Sequence, residues 1–319
     1  MFSFLKLIRV QNLLIIAFTQ CMVRWCLVAP LLKIRGYELQ LSNFLFSLLV
    51  LSTVMVAAAG YVINDYFDIN IDKINKPERL VIGKGVKRRV AIGAHTVMNF
   101  IAILIGFYIS YSIGAWKLIV VYFFWAFGLW FYSTHFKRQF LIGNLIIAVF
   151  VALVPLVVGI YELLLCYKVY SVPGEIVSFK EIWDRILAIT FFAFVTTLLR
   201  EMIKDIEDYE GDKKYGCKTL PIVIGIKPAK IGIVAITIIT MLSLASMQLL
   251  QWRNKDMVSF FYFSIALQLP FVFLIYKTVV AQTKKEYRFA GITAKFIMLM
   301  GICYLFLFAY LTLSHLHVV

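Results

Sequence analysis

The sequence predicts an all-α, polytopic membrane protein, and three observations carry that prediction. Hydrophobic residues fill 62% of the 319 positions and charged residues only 15%, well below the roughly 25% charge of a soluble domain. Apolar runs of about 20 residues, the length that crosses a hydrocarbon core, recur from end to end. No long polar linker separates them, so residues 1–319 read as a single transmembrane domain.

Nine spans are expected, near 11–32, 42–63, 91–112, 116–135, 140–163, 184–204, 229–250, 257–281 and 290–314. The first follows Lys6 and Arg9, but it is too long for a signal peptide, lacks an A-x-A-like exit and contains Arg24. It reads as a retained helix. Lysine and arginine resist translocation and so set orientation. With the N-terminus inside, the inner segments hold 21 of the 32 lysines and arginines, eight lie in outer segments, and Arg24, Lys277 and Lys295 fall within spans. This predicts an N-in, C-out chain in the cell's inner membrane.

The net charge of +15 flanks the spans, where it attracts anionic membrane lipids; nucleic acid is not an expected partner. Five scattered cysteines without a C-x-x-C, and four histidines set apart from carboxylates, support neither a disulfide framework nor a zinc site. Arg24 is expected to find a structural partner inside the bundle. Lys277 and Lys295 are expected to reach the interface and are assigned no role in a site.

Two short segments concentrate the carboxylates that the rest of the chain avoids. Asn64-Asp65-Tyr66-Phe67-Asp68-Ile69-Asn70-Ile71-Asp72 and Asp205-Ile206-Glu207-Asp208-Tyr209-Glu210-Gly211-Asp212 both read D-x-x-D-x-x-x-D. Positions i, i+3 and i+7 share one face of a helix, so each segment is expected to present three carboxylates in one direction. One copy leaves span two and the other span six, both on the cytoplasmic side, so the two faces can meet. Their mutual repulsion calls for cations, and Mg2+ binds oxygen while bridging carboxylates to phosphates. Asp65, Asp68, Asp72, Asp205, Asp208 and Asp212 are the expected metal-binding and catalytic residues.

A single such segment reads most simply as solvated surface charge. Two copies with one spacing, on one side of an acid-poor chain, point to a site. A calcium loop fails as an explanation, because Lys73 and Arg79 stand where that loop needs glycine and glutamate. An ion-coupled membrane transporter is the alternative of another class, but it would place carboxylates in mid-helix or at broken half-helices.

The run Asn64-Asp65-x-x-Asp68-x-x-x-Asp72-x-x-Asn75-x-Pro77-x-Arg79 resembles the first signature of the UbiA superfamily of intramembrane prenyltransferases. The run from Arg200-Glu201 through Lys204-Asp205-Ile206-Glu207-Asp208 to Glu210-Gly211-Asp212 resembles the second, and Tyr132-Ser133, Lys137 and Gly143-Asn144 fall where the family has a similar segment. Leu80 departs from the pattern, standing where the family often has proline. With Arg9 and Asn12 in the basic N-terminal helix, the likeness covers nearly the whole chain.

The resemblance implies nine helices around a central cavity, Mg2+ and a prenyl diphosphate held by both acidic motifs, and the prenyl tail in an apolar channel. It carries over the six aspartates with Asn64 and Arg79, and also Tyr132 and Lys137. Arg9 and Lys204 join these as expected substrate-binding residues. The form of both motifs is most similar to geranylgeranylglyceryl phosphate geranylgeranyltransferases, which implies a lipid acceptor. Lys6 and Arg9 are the expected partners of such an acceptor's phosphate. An aromatic acceptor of quinone, homogentisate or chlorophyll type stays open at this point, as does the group that takes the acceptor's proton.

Overall fold

A helix satisfies its own backbone hydrogen bonds, which hydrocarbon cannot do for it. In the computed structural model, which describes residues 2–171 and 177–314, nine helices among the described residues are long and apolar enough to cross a membrane. They are α1 Val10–Lys33, α2 Asn43–Asn75, α3 Arg88–Ser112, α4 Trp116–Thr134, α5 Ile142–Tyr170, α6 Lys180–Glu207, α7 Ile226–Arg253, α8 Met257–Val280 and α9 Lys284–Ser314. Every expected span is present. His315 and His317 lie outside the described residues.

The largest difference from expectation is α2, which continues from the expected end near 63 to Asn75. No residue between breaks the helix, and the first stop is Pro77, which opens a 3-10 turn over Pro77–Arg79. At 33 residues, α2 is about 50 Å long, against about 30 Å of hydrocarbon. Its acidic end therefore projects beyond the apolar layer while remaining helical. Leu80 follows with φ −67°, an angle that proline shares, so its departure from the family pattern leaves the turn intact.

Helix α2 packs along α3, α5 along α6, and α9 along α6. The two acidic segments emerge at the same end of the bundle. Side chains on the outside, such as Phe100, Tyr111, Leu242, Leu249 and Leu269, are exposed and apolar, as a surface in lipid requires. A small buried cluster of Leu7, Val62, Ile69, Ile82 and Ala91 seats the short N-terminal helix Phe2–Leu7 against the acidic end of α2.

At the other end, a polar knot ties α1 to α2 and α5. Arg24, in a π-helical segment of α1, reaches Glu162 of α5 with Nε to Oε2 3.2 Å apart, and neither side chain is exposed. Its guanidinium also donates to Asn43 Oδ1 at 3.0 Å and to the Leu41 carbonyl. Glu162 Oε1 in turn accepts from the backbone N–H groups of Gln40, 2.5 Å, and Leu41, 2.8 Å. The expected structural partner of Arg24 is thus Glu162, far from the aspartates.

Removing one member of a buried pair strands the other charge, which costs about 3–5 kcal/mol. Glu162→Gln and Arg24→Met are each expected to lower the thermal unfolding midpoint in detergent. The double variant Arg24→Met/Glu162→Met should recover part of the loss; equal midpoints for wild type and both single variants would contradict this role.

Candidate active site

The acidic ends of α2 and α6 meet, but the two copies of the motif are built differently. Asp65, Asp68 and Asp72 lie on one continuous helix, as expected. The second copy departs from a single helical face: α6 ends at Glu207, Asp208 caps it with non-helical φ −94° and ψ 5°, and Asp212 sits on a separate short helix, Tyr209–Lys214. Gly211, within that short helix, lies against the Asn75 side chain, where a Cβ would come within 2.5 Å of the amide, so glycine there lets the two segments approach this closely.

Asn75 fastens that contact. Its Nδ2 donates to the Asp208 carbonyl at 3.0 Å and its Oδ1 accepts from the Gly211 N–H at 3.0 Å. Lys284, at the start of α9, donates to the Asn75 carbonyl. One asparagine thus locks the first acidic segment to the second, with the last helix tethered to the same point.

Four of the six aspartates have a polar side-chain neighbour of their own. Arg9 Nη2 lies 2.6 Å from Asp65 Oδ1; its backbone is left-handed, with φ 53°, at the joint between the N-terminal helix and α1. Lys137 pairs with Asp68 and donates to Asn64 Oδ1 at 3.2 Å. Asn144 donates to Asp205 at 2.9 Å, and Lys76 Nζ lies 2.7 Å from Asp208 Oδ2. Asp208 Oδ1 is buried with no hydrogen-bond partner.

Beside them is a polar chamber of about 30 Å3, lined by Asp72, Asp205, Asp208 and Asp212 together with Tyr132, Lys137 and Lys204. Burial opposes the Lys137 charge, but Asp68 and Tyr132 beside it outweigh that and raise its pKa above the ordinary lysine value. Burial, and then nearby Asp208, push the Asp212 carboxyl up to about 6. The carboxylates are crowded enough to demand positive charge.

The donor set fits Mg2+. It consists of oxygen ligands, and one of them, Asp208 Oδ1, is buried and unpaired. Among the described residues no three carboxylates, histidines or cysteines converge on one point. An ion held here by one or two of Asp72, Asp205, Asp208 and Asp212 would therefore complete its shell with phosphate and water oxygens, the usual habit of Mg2+.

The chamber adjoins a larger, mostly apolar cavity of about 190 Å3, and Tyr132, Glu201 and Lys204 line both. Arg9 and Asn64 face this second space. Of the expected site residues, Asp65 and Asp68 stand behind Arg9 and Lys137 and do not line the chamber. Arg79 belongs to the turn after α2, and its side chain lies outside the described residues.

Sequence reasoning assigned no site role to Asn75, Asn144, Glu201, Lys76 or Lys295. The first three had a signal, since all stand inside motif-like segments. Lys295, expected at the membrane interface, instead lines the apolar cavity and donates to Asn12 Oδ1 at 2.6 Å. Nothing in its local sequence distinguishes it from an interfacial lysine.

Fold and site together define a class: a helical membrane protein in which a chamber of carboxylates and lysines adjoins an apolar cavity within the bundle. A profile of the UbiA prenyltransferase family matches residues 26–299, and the chain belongs to that family and is a prenyltransferase. It is 31% identical over 243 residues to the digeranylgeranylglyceryl phosphate synthase of Saccharolobus solfataricus, covering 75% of this chain and 76% of that protein. The corresponding synthase of Methanosphaera stadtmanae is 31% identical over 256 residues, covering 80% and 84%.

Solved structures agree on the fold. A digeranylgeranylglyceryl phosphate synthase superposes with a TM-score of 0.63 at 21% identity, covering 96% of this chain and 97% of that one. A UbiA homolog from Archaeoglobus fulgidus bound to GPP and Mg2+ superposes with a TM-score of 0.55 at 16% identity, covering 95% and 99%. An ion-coupled transporter is no longer a competing class.

Misplacing reacting groups by about 1 Å can cost on the order of a hundredfold in rate. Gly211→Ala, which drives a methyl into Asn75, and Asn75→Ala, which removes the bridge, are both expected to lower prenyl transfer by roughly that factor. Release of diphosphate by purified variants checks this, and wild-type rates in both would show that the bridge is dispensable.

Proposed function

We propose that this protein transfers a geranylgeranyl group from its diphosphate to the free hydroxyl of geranylgeranylglyceryl phosphate, releasing diphosphate. The observation that carries the reading is the junction at Tyr132, Glu201 and Lys204, where a chamber suited to Mg2+ and phosphate meets a cavity suited to a prenyl tail. The synthases named above supply the acceptor, since their product is the doubly prenylated glyceryl phosphate.

When bound, Mg2+ supplies charge neutralisation on the diphosphate as the allylic C–O bond breaks. Asp72, Asp205, Asp208 and Asp212 are the residues that would hold it. Lys137 and Lys204 add N–H donors to phosphate oxygens, and the raised pKa of Lys137 keeps it charged for that task. Tyr132, Trp125 and Phe150 border the cavity, and aromatic side chains there favour an allylic carbon that gains positive charge and shield it from water. The acceptor oxygen forms the new C–O bond, and its proton leaves to the diphosphate or to a motif carboxylate.

The basic excess around the acidic end supports a cytoplasmic placement of the site in the cell's inner membrane. Asp208→Asn is expected to abolish transfer in purified, folded protein, and chelation of Mg2+ to abolish it reversibly. Product masses from a panel of prenyl diphosphates and acceptors test the substrates. Products from aromatic acceptors alone would replace the lipid reading, and full activity in Asp208→Asn would remove the site.

A further inference from the structure

The charges around the site sort by sign into two regions. Facing the chamber, Asp72, Asp205, Asp208 and Asp212 outnumber Lys137 and Lys204. Facing the cavity, Arg9, Arg200, Lys204 and Lys295 stand with a single carboxylate, Glu201. Arg9 is committed to Asp65 at 2.6 Å. Glu201 is shared by Arg200, at 2.6 Å, and Lys204, at 3.2 Å.

Among the described residues no carboxylate lies within ion-pair distance of Lys295; its Nζ donates to Asn12 Oδ1 at 2.6 Å. Apolar neighbours border the same space, including Val151, Val154, Met298 and Leu299. An ammonium in such a setting is costly unless an anion meets it. The cavity end thus carries more cations than its own carboxylate can balance, and they sit where carboxylates do not offer a metal.

We propose that Lys295 and Arg200, with Asn12, form a second anion subsite that binds the phosphate monoester of the acceptor lipid without metal, separate from the Mg2+-diphosphate chamber. This rests on the lipid-acceptor reading above. Lys6, the other cation expected to serve that phosphate, is exposed on the N-terminal helix, whereas Lys295 lines the cavity itself. A deeper apolar cavity of about 160 Å3 shares Ile15, Ile16, Val151, Val154 and Met298 with the first. An acceptor seated at Lys295 has that space for its own tail.

Two partitions follow. Lys295→Gln is expected to raise KM for a phosphate-bearing acceptor about tenfold or more, with KM for prenyl diphosphate and the Mg2+ dependence unchanged within about twofold, and Lys295→Arg to restore most of the loss. An acceptor lacking the phosphate should be poor on wild type and no worse on Lys295→Gln.

In wild-type protein, independent of any variant's folding, a non-reactive glyceryl phosphate ether lipid should bind in the presence of a chelator, and prenyl diphosphate should not. An unchanged acceptor KM in Lys295→Gln, a parallel rise in the prenyl diphosphate KM, or acceptor binding that needs Mg2+ would each overturn the subsite. If wild type uses only aromatic acids, and Lys295→Gln raises their KM, the phosphate assignment and the lipid reading fail together. If wild type prenylates phosphate lipids and Lys295→Gln is indifferent, the subsite alone fails.

Discussion

The site depends on one side chain holding two crowded acidic segments together. Like charges at this separation push apart, and the backbone around Asp208 is not held by a regular helix. Asn75 answers both needs, giving a donor to the Asp208 carbonyl and an acceptor to the Gly211 N–H. Its own carbonyl is occupied by Lys284, so the start of α9 is tied to the same junction. Remove that amide and the Lys76–Asp208 ion pair is left to hold the two segments without the backbone hydrogen bonds beside it.

Around this anchor the molecule separates three environments that its chemistry needs at once. Carboxylates gather where a metal-bound diphosphate requires oxygen ligands. Apolar and aromatic walls begin at Tyr132 and continue into the bundle, where a prenyl chain requires the absence of water. Lysines and arginines stand at the border, and Lys204 lines both spaces. A reaction that splits a charged head from an apolar tail is served by a boundary of that kind.

Much of this arrangement was readable in the residues. All nine spans and the meeting of the two acidic segments followed from hydropathy and from a repeated D-x-x-D-x-x-x-D. The length of α2 was not, because hydropathy marks where lipid ends and says nothing about where helix ends. The division of labour among the aspartates was also hidden: Asp65 faces Arg9 and Asp72 faces the chamber, although both share one helical stripe. Lys295 was misplaced because a lysine some eleven residues into an apolar helix looks the same in sequence whether it snorkels to the surface or turns inward. Only the packing of α9 against α1, which brings Asn12 to it, distinguishes these cases.

The buried pair of Arg24 and Glu162 bears on how such a chain is made. The partners are 138 residues apart, and synthesis at about 5–20 residues per second separates their appearance by on the order of ten seconds. During that interval α1 carries an arginine within its apolar stretch, where an unpaired charge is costly, with no carboxylate to meet it. Asn43 and the Leu41 carbonyl can meet that guanidinium early, but its charge is balanced only once α5 has emerged. Assembly of the bundle is coupled to the order of translation through a contact that takes no part in the chemistry.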